Sequence, residues 1–162
     1  MIVSTRGRYA LRVMVDLAQH QEDGYVPLNV IAGRQDISEK YLESILKVLV
    51  QDELLTGLRG RGGGYRLTKA PKDYTLGEIL RLTEGSLAPV ACTDDGEHDC
   101  PRKESCPSHP VWQKLDTMIN DFFDGITLAD LIQLRKKVKK SFLSRFIHQM
   151  LSSLLFSLII AI

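Results

Sequence analysis

The sequence predicts a mainly α fold with one small β-hairpin, arranged as a winged helix-turn-helix followed by a long helix. Three observations carry that prediction. Two helical segments flank a tight turn within residues 27–51, the glycine-rich stretch LRGRGGGYRL (58–67) joins two strand-like runs, and an apolar stripe from Trp112 to Phe123 recurs at intervals of three and four.

Each element has its own signal. Ser4 or Thr5 can cap a first helix running to about residue 20, with Tyr9, Met14, Leu17 and Ala18 near one face, until QEDGY breaks the period. PLNVIAGRQ then predicts a short helix, and Gln35, Asp36 and Ile37 a turn. Ser38 caps a longer helix in which Leu42, Ile45, Leu46 and Leu49 form a buried stripe. After Asp52 and Glu53, LLTGLRG and GGYRLTKA are strand candidates on either side of the glycines, which makes a hairpin with a loose tip.

Thr75 and Glu78 in TLGEILRLTEG form a capping box, and Gly85 is the stop. Residues 86–110 carry Pro89, Pro101, Pro107 and Pro110 with no apolar period, so they read as a loop. From Val111 a long amphipathic helix presents Trp112, Leu115, Met118, Ile119, Phe122 and Phe123. That stripe is more apolar than a small domain can cover alone, so its expected cover is the same helix of a second subunit. Gly125 ends it, and Thr127 with Asp130 caps another helix. The predicted organisation is a winged-helix DNA-binding domain at 1–85, a cysteine-bearing loop at 86–110, a dimerisation helix with a following short helix at 111–134, and a basic then apolar tail at 135–162.

Composition sets the class. At 162 residues, 44% apolar and 25% charged, the chain suits one globular core plus an accessory segment. Its net charge of +1 hides a segregation: +2 over residues 1–75, −6 over 76–127 and +5 over 128–162. The opening MIVSTRGRYALRVMV lacks the pattern of a secretory signal, so the expected location is cytoplasmic.

The glycine run excludes two nucleotide sites. A Walker loop needs Lys and then Ser or Thr after its last glycine, and a dinucleotide fingerprint needs glycine where Tyr65 stands. A basic hairpin suits duplex DNA better: Gly62 and Gly63 allow close backbone approach, while Arg59 and Arg61 reach phosphates or enter the minor groove. Tyr65 and Arg66 belong to the returning strand. In the predicted recognition helix, Ser38, Glu39, Lys40, Tyr41, Glu43 and Ser44 sit where side chains enter the major groove. Glu39 and Glu43 can each accept from a cytosine amino group, or can serve the helix dipole instead. No nucleophile, base and orienting group occur at a recognisable spacing, so an enzyme is disfavoured.

Three cysteines crowd one loop: Cys92, then seven residues, Cys100, five residues, Cys106, two residues and His109. Clustered thiols in a reducing compartment more often bind metal than form disulfides, and this set could hold tetrahedral zinc or an iron–sulfur cluster. His109 can instead be a capping histidine of the next helix, and His98 is a weaker ligand candidate. A zinc finger for single-stranded RNA is disfavoured, because its first interval would be the acidic TDDGEHD.

Together STRGRYALRVM, PLNVIAGRQDIS, YLESIL, LRGRGGGYRL, the cysteine spacing and ITLADL resemble, in that order, the IscR/NsrR/CymR superfamily of winged-helix transcriptional regulators, over about residues 1–132. The resemblance implies a homodimer with a long crossing helix that binds near-palindromic, double-stranded operator DNA. It also implies an iron–sulfur cluster on Cys92, Cys100, Cys106 and His109, 2Fe-2S as in the IscR branch, with 4Fe-4S or zinc as alternatives. Arg8 stands where one NsrR type has a ligating aspartate, which favours the IscR-like set. The first intercysteine interval is two residues longer than in IscR. In the CymR branch, regulation runs through a partner protein, a metabolic enzyme, without a cluster. The resemblance does not reach the tail. There RKKVKK (135–140) precedes Phe146–Ile162, a stretch of 17 residues without Asp, Glu, Lys or Arg, short of the about 20 that span a bilayer, and a membrane role is disfavoured.

Overall fold

The computed structural model describes residues 3–94 and 100–134. The expected tail at 135–162 and His98 lie outside the described residues. Helix α1 (Thr5–Gln19) starts where the Ser4 hydroxyl accepts the Gly7 N–H, and α2 (Leu28–Gln35) stops where Asp36 turns left-handed at φ 54°. Helix α3 (Glu39–Gln51) follows at once. The Ser38 hydroxyl makes no capping bond, although the residue holds the N-cap position, which corrects its expected role as a side-chain cap.

Strands β1 (Leu55–Leu58) and β2 (Gly64–Leu67) pair antiparallel with Leu55 opposite Leu67 and Leu58 opposite Gly64. Val26 adds a bridge to Tyr65 on the other edge of β2, exchanging N–H···O bonds of 3.0 and 2.9 Å. The hairpin is thereby tied to the segment that leads into α2, and Tyr65 belongs to the returning strand. Helix α4 (Leu76–Glu84) ends at Gly85, where φ is 83°. The Thr75 hydroxyl caps it, accepting the Glu78 N–H at 3.0 Å, but the Glu78 carboxylate does not reciprocate. It takes the Lys69 ammonium at 3.0 Å instead, so the expected capping box is only half formed, and the pairing raises the Lys69 pKa.

Helix α5 (His109–Asp124) begins two residues before the expected Val111. Pro110 lies in its first turn, where a missing N–H is no loss, and the His109 N–H bonds the Cys106 carbonyl at 3.2 Å. His109 is therefore a helix residue. Residues 128–134 form helix α6, whose cap is reciprocal: Thr127 N–H and Oγ1 donate to Asp130 Oδ2, and Asp130 N–H returns to Thr127 Oγ1. The bonds its carboxylate accepts from the Thr127 hydroxyl and N–H lower the Asp130 pKa.

One apolar cluster joins α1, α2, α3, β1 and α4, with Met14, Ile31, Leu42, Ile45, Leu46, Leu49, Tyr74 and Ile79 at its centre. Leu128 is in it at 0% exposure, because residues 126–128 return to bridge 74–76 through Leu76 N–H to Ile126 O and Leu128 N–H to Tyr74 O. Two polar devices sit in this core. Asp16, 4% exposed on α1, accepts Arg34 Nη2 at 2.7 Å, Arg34 Nε at 3.0 Å and Gln35 Nε2 at 3.0 Å, which fastens α2 to α1. The Tyr74 hydroxyl donates to the Leu54 carbonyl and receives the Thr68 and Lys69 amides, which fastens the base of the hairpin.

Candidate nucleic-acid interface and cysteine loop

The buried stripe Leu42, Ile45, Leu46, Leu49 fixes the roll of α3, so its opposite face is outward. Ser38, Glu39, Lys40, Tyr41 and Glu43 are all exposed there. The Tyr41 ring leans edge-on against Tyr9 of α1 with ring centres 5.9 Å apart, so the aromatic is propped from behind while remaining accessible. Sequence reasoning missed Lys47, one further turn along the same face and exposed; its signal was simply its position opposite the buried stripe.

The hairpin stands beside α3 and leaves a groove of about 850 Å³ between them, lined by Lys40, Glu43, Ser44 and Lys47 on the helix side and Leu58, Arg59 and Gly63 on the hairpin side. Arg59 and Arg61 are exposed at the tip. Arg66 turns away, its guanidinium 4.7 Å from the centre of the Tyr25 ring. The tip glycines divide by role. Gly60 and Gly62 have φ of 93° and 77° with open space around an added Cβ, whereas a Cβ on Gly63 would overlap the Leu58 carbonyl oxygen. Gly63 is thus required by the turn itself, in which its N–H bonds Gly60 O at 2.9 Å.

Further along the chain, Cys92 lies in a 3₁₀ turn, Ala91–Thr93, packed against α5, and Cys100 and Cys106 are half-buried ahead of that helix. None of the three is in a disulfide, and among the described residues no three His, Cys, Asp or Glu side chains converge as a metal site. Cys106 is set apart by its neighbours. The Ser108 hydroxyl lies 3.3 Å from its sulfur, and with the backbone N–H groups of Ser108 and His109 it lowers the thiol's pKa. His109 is 7% exposed, and among the described residues neither ring nitrogen has a hydrogen-bond partner. A buried imidazole with both nitrogens unpaired is costly unless something binds it.

Residues 3–134 match the profile of the Rrf2 family, described as an iron-dependent transcriptional regulator. The chain belongs to the Rrf2 family. It is 38% identical over 132 residues to the HTH-type transcriptional regulator IscR of Erwinia tasmaniensis, covering 82% of this chain and 79% of that one. To IscR of Aliivibrio salmonicida it is 36% identical over 132 residues, covering 82% and 77%. Among solved structures, IscR of T. potens superposes with a TM-score of 0.66 at 38% identity, covering 85% of this chain and 90% of that one. CymR, the global cysteine regulator of B. subtilis, does so with a TM-score of 0.67 at 32% identity, covering 83% and 98%.

This Rrf2 chain is accordingly a winged-helix, DNA-binding transcriptional regulator and not an enzyme, and its fold is the mainly α, hairpin-bearing architecture that the sequence predicts. Among the described residues no helix is long and apolar enough to cross a membrane.

Proposed function

We propose that the chain acts as a homodimer which binds operator DNA through Ser38, Glu39, Lys40, Tyr41 and Glu43 of the recognition helix and Arg59, Arg61, Gly62 and Gly63 of the wing. An iron–sulfur cluster held by Cys92, Cys100, Cys106 and His109 reports cluster supply or redox state to that interface. The observation that supports the cluster reading is His109: a buried imidazole with both nitrogens unpaired among the described residues, close in sequence to three free cysteines. Soft thiolates plus one imidazole make a donor set suited to iron–sulfur or zinc, and the lowered pKa of Cys106 favours its ligating thiolate form. A bound cluster supplies iron that exchanges electrons and reacts with oxygen or nitric oxide.

The chain's own contribution is mechanical. His109 is the first residue of α5, and Gly85 closes α4, so residues 86–108 connect the ends of two helices. Arg81 of α4 bonds Asn120 and pairs with Asp124 of α5, which ties the two helices together. Dimerisation is supported by α5 itself, where Val111, Met118 and Phe122 are 62%, 59% and 62% exposed along one stripe. Reordering the loop would then tilt α5 and change the spacing of two recognition helices, to which binding of two DNA half-sites is sensitive.

The test is anaerobic purification followed by visible spectroscopy and iron and sulfide assay. A coloured protein containing both elements is expected, with His109→Ala changing the spectrum. A colourless protein holding one equivalent of zinc would overturn the cluster reading. The likeness to CymR favours one second reading, a zinc-bound or metal-free regulator controlled by a partner protein. Under it, Cys100→Ala and Cys106→Ala leave DNA binding insensitive to oxidants.

A further inference from the structure

The groove between α3 and the hairpin contains two features that base reading does not use. Recognition helices read base edges with their N-terminal residues, yet Lys47 lies in the third turn of α3, seven residues and about 10 Å of helix axis beyond Lys40. Leu58 is 50% exposed on the facing strand, an apolar side chain between basic walls. Lys40, Lys47 and Arg59 line the groove against the single carboxylate of Glu43, so it favours an anion.

We propose that this groove seats one sugar–phosphate strand of duplex DNA, with Lys47 on a phosphate and Leu58 against a deoxyribose. The inference rests on the DNA-binding reading above and extends it. A helix in the major groove and a wing in the adjoining minor groove must straddle the strand that separates the two. That strand offers phosphate oxygens on one side and the apolar face of its sugars on another, which is the pairing that Lys47 and Leu58 present. Phosphate contacts position a protein without reading sequence, so Lys47 serves affinity and register while the residues from Ser38 to Glu43 serve selectivity.

Because a phosphate contact is indifferent to sequence, mixed-sequence duplex DNA is a sufficient probe. Binding of the full chain is measured across roughly 50–200 mM salt for the parent, Lys47→Gln, Lys47→Arg and Lys72→Gln. Lys72 is exposed in the 3₁₀ turn Pro71–Asp73 and does not line the groove, so it controls for net charge. Lys47→Gln should weaken binding several-fold and make the log–log salt slope shallower by about 0.9 per engaged protomer. Lys47→Arg should keep the parental slope. Equal losses in Lys47→Gln and Lys72→Gln, or an unchanged slope in Lys47→Gln, would overturn the assignment. If the parent itself binds with no salt dependence, the DNA reading fails rather than this contact.

Discussion

Replacing Tyr74 with Phe removes one buried hydroxyl oxygen from the base of the hairpin. The ring is 0% exposed; its hydroxyl donates to Leu54 O at 2.9 Å and accepts Thr68 N–H at 2.9 Å and Lys69 N–H at 2.7 Å. At about 1 kcal/mol net per neutral bond, an upper figure is about 3 kcal/mol. Part of that is recovered. Leu54 O still receives Thr68 N–H at 3.4 Å and Thr68 Oγ1 at 3.2 Å, and the exposed Thr68 and Lys69 can turn to water. The loss should therefore be about 1–2 kcal/mol, dominated by the Lys69 amide. With roughly 2–4 °C per kcal/mol for a chain of this size, Tm falls by about 2–8 °C in calorimetry. Hydrogen exchange should rise at Tyr65 and Arg66, because the hydroxyl holds the hairpin base to the core. A Tm within 1 °C of the parent, or faster exchange spread evenly over α1 and α3, would refute the reasoning.

Arg34→Ala strands the buried Asp16 carboxylate with Gln35 as its remaining side-chain donor; Arg34 is partly exposed, so the cost should be about 2–3 kcal/mol, read as a lower urea midpoint with unchanged slope. Asp130→Asn tests the pH sign at α6. The folded pKa of Asp130 lies below its ordinary value, so its stabilisation is present above the ordinary carboxylate range and is lost as pH falls through the folded pKa. The Tm gap between parent and variant should be open at neutral pH and close in strong acid. Placing Asp at Met118 and Phe122 together charges the exposed stripe of α5, and sedimentation should then report a monomer with unchanged helical content.

Much of the fold was legible because its signals are local. The stripe of α3, the break at QEDGY, the glycine stop at Gly85 and the Thr127–Asp130 cap each act within one or two turns, and the structure places them where the periodicity does. Errors arose where a local rule met a competitor from elsewhere. Glu78 had a capping partner three residues away in the expected box, but Lys69 offered it a charge. The histidine at 109 stood open between metal ligand and helix-capping residue; the structure makes it the first residue of α5, with its N–H on the Cys106 carbonyl.

The sequence by itself determined the order of elements, the amphipathic faces, the basic hairpin and the cysteine spacing, since these depend on the chemistry of neighbouring residues. It also carried the family resemblance. Only the tertiary structure decided which polar atoms are paired across the core: Asp16 with Arg34, and Tyr74 with the hairpin base. It decided too that Gly63 is needed by the turn's own backbone, and that Lys47 faces Leu58 across a groove. Those facts join residues far apart in the chain, and burial, which sets the cost of leaving a polar group unpaired, exists only once the layers have closed.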